Sequence, residues 1–225
     1  MNNICETSYN NENNIICNKG DILLKSYLNQ ENNKKAYNLS FNINNINPNK
    51  INFENLLNHN IYSLLEKINP ELIDKIHILK VYNDDAADII IILKNLVKDL
   101  GIKQKYILFY TKRKIDLENN IIYYSNYDIN FMDVDLAYHY TDMLKLDKNY
   151  EPLIYYLGSI QIKIKNIKIT DIYTKINEIN NVDLEFDTKF QLLMEDEVPL
   201  HMQDIIGLMI KKLFYNLKQF IDKLK

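Results

Sequence analysis

The segment DVDLAYHYTD holds the chain's best-spaced candidates for chemistry. On a helix, Asp135, His139 and Asp142 fall at i, i+4 and i+7 and share one face, with Asp133 just ahead of them. That set suits a hard divalent cation or a carboxylate-steered histidine, and so a metal-dependent enzyme. The competing reading is a solvated helix face, because Asp is scattered through the whole chain and Tyr138 and Tyr140 share the segment. The solvated face is the expectation, with no metal bound. His59, His77 and His201 stand alone in sequence, without the neighbours of a catalytic triad, and read as solvated or singly hydrogen-bonded.

The second cluster is basic. Lys112, Arg113 and Lys114 follow Tyr106 and Tyr110, and Lys163 and Lys165 would extend the patch if their strands adjoin. A Lys/Tyr surface can hold single-stranded nucleic acid by stacking and phosphate contact. The charge balance argues against it: 27 basic residues face 30 acidic ones, a net charge of −3, so no overall positive field recruits a polyanion. Arg113 is also the sole arginine, and lysine cannot copy the planar guanidinium fork. Nucleic acid is therefore not an expected partner. The 4 glycines (Gly20, Gly101, Gly158 and Gly207) are each isolated, which excludes the clustered-Gly phosphate loops and the nucleophile elbow. No cofactor is expected, and the sequence reads as non-enzymatic. Cys5 and Cys17 form neither a disulfide framework nor a zinc site.

The elements that would carry these groups follow from periodicity. Leu39, Phe41 and Ile43 alternate with polar residues and predict a strand ending at NPN. Phe53, Leu56, Leu57, Ile61, Leu64, Leu65 and Ile68 predict a helix that Pro70 stops, and Ile76 to Tyr82 read as extended. Ala86 to Leu100 read as a central buried helix, capped by Asp84 or Asp85 and terminated by Gly101, since Ile89 to Ile92 make it apolar on all sides. YILFY and IIYYS suggest one hairpin; LIYYL, a Gly158-Ser159 turn and IQIKIKNIKI suggest another. After Glu195, Asp196, Glu197 and Pro199, the residues Met202, Ile205, Ile206, Met209, Ile210, Leu213, Leu217 and Phe220 form one stripe of a long amphipathic helix. That stripe either covers its own sheet or docks into another subunit.

The organisation is an Asn-rich flexible leader over 1–20 and a single domain over 21–225, with a sub-boundary near 145–152. The fold class is α+β, with antiparallel hairpins packed around the central helix and the long C-terminal helix. Enrichment in Lys, Asn, Ile and Tyr matches A/T-rich codons and a genome of that bias. The N-terminus carries no basic and apolar signal segment, and no run approaches a membrane span, so the expected location is a virion or the cytoplasm, with no secretion and no membrane insertion.

Residues 154–214, from IYYLGSIQIKI to the helix, resemble the end of neck and ring proteins of crAss-like tailed bacteriophages, on the acidic stretch at 195–197, Pro199, Met202, Ile205, Ile206 and Leu213. That resemblance implies a virion structural protein: a neck, ring or tail-connector subunit working through protein partners as a homo-oligomer or larger assembly. The segment DDAADIIIILKNLVKDLGIKQKYILFY resembles ubiquitin-like Ras-association modules, which implies a protein-binding adaptor as the alternative. The metal-dependent enzyme using Asp135, His139 and Asp142 is the third reading.

Overall fold

The computed structural model describes residues 14–19, 21–29, 34–51, 53–95, 103–192 and 200–224, with the side chains at 54, 157 and 200–206 outside that description. The chain opens with strands β1 (Asn14–Lys19), β2 (Ile22–Leu28) and β3 (Lys35–Ile46), then two short helices, α1 (Glu54–Leu57) and α2 (Asn60–Ile68). Strands β4 (Ile73–Asn83), β5 (Ala86–Leu93), β6 (Gln104–Asp116) and β7 (Ile121–Asp128) follow as a meander. Helices α3 (Ile129–Met132) and α4 (Val134–Met143) and the short strand β8 (Tyr150–Pro152) interrupt it before β9 (Tyr155–Ile164). Helix α5 (Ile169–Lys175), strand β10 (Val182–Leu192) and helix α6 (Leu200–Asp222) complete the chain.

Among the described residues the ten strands make one sheet, ordered β1-β2-β3-β10-β9-β7-β6-β5-β4. Each neighbouring pair on that path is antiparallel; β8 lies off it, parallel to β6. Alternation of side chains sends every second residue to an inner face, covered by α1, α2, α5 and α6. The inner core is a stack: Phe41 lies on Phe186 with ring centroids 4.7 Å apart, and Phe214 of α6 meets Phe41 at 6.0 Å. Helix α6 is tied to α2 through buried Asn69. The Asn69 Nδ2 group donates to the Leu65 carbonyl at 2.9 Å, and Asn216 Nδ2 donates to Asn69 Oδ1 at 2.8 Å.

Among the described residues the outer face is covered where α3 and α4 lie, over Ile90, Ile92, Tyr106 and Leu108, with Ile129, Ala137 and Tyr140 from the helices. Buried Asp88 pins that layer: Tyr82 Oη and Tyr140 Oη donate to its carboxylate at 2.8 and 2.5 Å.

The expected architecture needs correction here, because the molecule is dominated by its sheet. The central helix expected from Ala86 is strand β5, and Gly101 lies outside the described residues. Ala87, Ile89 and Ile91 face the inner core while Asp88, Ile90 and Ile92 face the outer one. With both faces covered, alternation vanishes into a continuous apolar run, which a buried strand and a buried helix share. The second expected hairpin is one unbroken strand, β9, running straight through Gly158 and Ser159. The helix expected from Phe53 breaks into α1 and α2. The strand at 39–43, the hairpin of β6 and β7 and the long C-terminal helix stand as elements. Residues 14–19 of the leader form the edge strand β1, and β8, at the expected sub-boundary, belongs to the same sheet.

Candidate functional site

Period-2 alternation splits the basic run. Lys112 and Lys114 are exposed on the outer face, as are Lys163 and Lys165 on and just after β9; Lys165 pairs with Glu185 at 3.0 Å. Arg113 turns inward, onto the face that carries Phe109, Ile107 and Ile115. Its side chain keeps only 11% of its surface exposed. Its Nε donates to Asp85 Oδ1 at 2.9 Å, its Nη1 donates to the Leu57 carbonyl at 2.8 Å, and its main-chain N–H donates to the Asp85 carbonyl at 2.6 Å. Burial disfavours the guanidinium charge, but the Asp85 carboxylate outweighs it and the pKa moves up.

Local sequence sets the partners in place. Asn83 Oδ1 accepts from the Asp85 N–H at 2.8 Å, which closes the tight turn between β4 and β5 and presents Asp85 to β6. Asn58 Oδ1 accepts from the Asn60 N–H at 2.8 Å, an Asx turn that ends α1 and starts α2 and leaves His59 at their junction. His59 is 8% exposed and meets Tyr124 edge-on at 6.2 Å between ring centroids. Burial, then the positive charge of Arg113, lower its pKa, with Asp85 opposing, so the neutral imidazole is favoured. Asn58, His59, Asn60, Ile78, Val81, Asn83, Asp84, Arg113 and Tyr173 enclose an open cleft of about 360 Å³.

Behind the cleft, register places polar or small residues in two adjacent rows of the inner face. One row reads Arg113, Tyr124, Ile160, Thr188 and Leu39; the next reads Ala87, Thr111, Asn126, Gly158 and Phe190. Gly158 is required there, since a Cβ would stand 2.9 Å from the Tyr155 ring. Tyr62 of α2 lies over these rows and donates to Asn126 Oδ1 at 3.2 Å. Both ring nitrogens of His59 and the hydroxyls of Tyr155 and Thr188 are buried without a hydrogen-bond partner among the described residues, while Thr111 lies against Tyr62 and Tyr124 against Arg113. Burial pushes the Tyr62 phenol up to about 12, and it raises Tyr124 and Tyr155 further still, so all three stay protonated donors.

The other expected sites fare differently. Asp135, His139 and Asp142 are exposed on α4, and among the described residues no three His, Cys, Asp or Glu side chains are grouped to hold a metal. Asp133 has a structural task, its carboxylate accepting from the Leu136 N–H at 2.9 Å to cap α4. Along α6, Leu217 is buried and Met209, Ile210, Leu213 and Phe220 pack against the inner core of their own chain. Met202, Ile205 and Ile206 have side chains outside the described residues, as are Glu195, Asp196, Glu197 and Pro199. Among the described residues no helix is long and apolar enough to cross a membrane.

No family model matches the chain, and no curated protein matches it by sequence. Solved structures do. Human StAR-related lipid transfer protein 5 matches at a TM-score of 0.58 with 10% identity, over 92% of this chain and 85% of that one. A STAR-related lipid transfer protein from Xanthomonas axonopodis matches at 0.58 with 8% identity, over 92% and 97%. The chain therefore has the fold of these StAR-related lipid transfer proteins. That finding overturns the reading as a virion neck, ring or tail-connector protein. It also overturns the ubiquitin-like adaptor, whose helix is strand β5. The residues missed from sequence are His59, Asp85, Tyr124, Tyr62, Thr111 and Tyr155.

Proposed function

We propose that this protein binds a small, largely apolar molecule on the inner face of its sheet, entering beside His59 and Arg113, and that it works by carrying this ligand without transforming it. One observation carries the reading: the His59 ring, Tyr155 and Thr188 hold buried polar atoms without partners on or against an otherwise aliphatic and aromatic face. Buried polar groups are ordinarily satisfied, and a cluster of exceptions marks a place where water or a ligand completes the bonding. The cleft's volume falls in the usual range of small-molecule sites, roughly 300–1,000 Å³, and Ile78 and Val81 give it an apolar wall. The fold shared with lipid transfer proteins supports the same reading.

Lipid-depleted protein titrated with a fluorescent fatty probe tests it. Saturable uptake of one probe per chain, competed by unlabelled lipid and accompanied by a higher melting temperature, is the expected result. Uptake that never saturates, or that survives denaturation of the fold, refutes it.

A further inference from the structure

We infer that the cleft at His59 selects an uncharged head group able both to donate and to accept a hydrogen bond, a hydroxyl or a primary amide on an apolar chain. This rests on the ligand-binding reading above and adds the chemistry of the head.

Arg113 is the cleft's one cation among the described lining residues, and that cation is already committed to Asp85 and the Leu57 carbonyl. Asp84 puts a carboxylate on the wall beside that ion pair, so the charge an incoming anion meets is not positive. The lining group still without partners is the neutral His59 ring, more than nine-tenths buried. A neutral imidazole has one N–H donor and one acceptor nitrogen. A hydroxyl or amide can therefore bond to the ring in either tautomer, donating to its acceptor nitrogen or accepting from its N–H. A carboxylate only accepts. It leaves the acceptor nitrogen unmet and stands near Asp84 and Asp85. Asn58 and Asn60, also on the lining, are neutral donor–acceptors of the same kind. An unmet buried acceptor costs about 1–3 kcal/mol, which is roughly tenfold or more in affinity.

The test compares decanol, decanamide and decanoate by competition against the fatty probe, at a pH of about 8 where decanoate is ionised. The alcohol and the amide are expected to compete about tenfold better than the acid. His59→Phe, which keeps a flat ring without its nitrogens, should erase that preference while the probe still binds; His59→Gln, which retains a donor and an acceptor, should preserve most of it. Should His59→Phe fail to fold, the wild-type ranking and the His59→Gln protein still decide the matter. Equal competition by all three, or decanoate binding tightest, overturns the head-group inference and leaves the ligand-binding reading intact. A preference that survives in His59→Phe removes His59 as its source. A protein that takes up neither the probe nor any of the three overturns both readings.

Discussion

Truncating Phe214 to Ala separates a helix that covers its own sheet from one made for another subunit. The side chain is 4% exposed, tilts against Phe41 at 6.0 Å, and sits on a pair that stacks onward to Phe186 at 4.7 Å. Removing a buried phenyl ring costs about 3–5 kcal/mol, because the lost transfer energy is joined by a cavity that rigid neighbours cannot close. Edge and offset ring contacts contribute about 0.5–1.5 kcal/mol beyond area, and they place Phe214 toward the upper half of that range. For a chain of this length, such a loss lowers the melting temperature on the order of 10 °C. Leu208→Ala on the same helix, at a side chain 42% exposed, is the control and should stay within about 0.5 kcal/mol. Urea titrations of both variants at two protein concentrations provide the assay. A Phe214→Ala loss below about 1 kcal/mol, or a wild-type midpoint that climbs with concentration, refutes intramolecular gripping by α6.

Two further outcomes follow from the inner face. His59 has a folded-state pKa below its ordinary value through burial and Arg113, so below about pH 6.5 the unfolded chain takes up the proton first. Stability is full above that value and falls as pH drops through it toward the folded pKa, by at most about 1.4 kcal/mol per pH unit; urea midpoints between pH about 5 and 8 should show this slope, and His59→Gln should flatten it. Combining Tyr155→Phe with Thr188→Val removes two hydroxyls that have no partner; stability should hold or rise by about 1 kcal/mol while probe affinity drops several-fold, whereas a loss of stability would mean that those hydroxyls serve the fold alone.

Local periodicity made some of this molecule legible from its residues, and the failures have identifiable causes. The stripe through Leu213, Leu217 and Phe220 declares a helix because one face only is apolar, and Leu39, Phe41 and Ile43 declare a strand for the same reason at period two. Ile89 to Ile92 declare neither, since the outer layer of α3 and α4 hides the alternation. Gly158-Ser159 resembles a turn, yet the glycine is there to admit the Tyr155 ring to the sheet surface. The break at Asn58–His59 lay inside an intact helical pattern; only the Asx turn stops it. The site was the least legible part. His59 and Arg113 meet across two elements and 54 positions of sequence. A strand reading of 104–116 would have turned Arg113 to the same face as Phe109 and away from both neighbouring lysines, and that was the single signal available.

The energetic cost of the inner face favours a ligand over a purely structural explanation. A buried polar atom without a partner costs about 1–3 kcal/mol against a net stability of about 5–15 kcal/mol for an ordinary domain, and the inner face holds such atoms at His59, Tyr155 and Thr188. A core selected for stability alone would hold Phe at 155 and Val at 188, with the same shapes and no unmet hydroxyl. Thr188 instead sits in the row of Ile160 and Tyr124, and Tyr155 packs against Gly158, on the face behind a cleft that opens at the sole arginine. A molecule that meets even two of those atoms recovers stability that the empty fold forgoes, and binding to the native state alone adds about 2.7 kcal/mol at a hundred times its Kd. Melting temperature should therefore respond to the right ligand more strongly than to any single conservative core substitution, and the size of that response measures how much of the polar band the ligand satisfies.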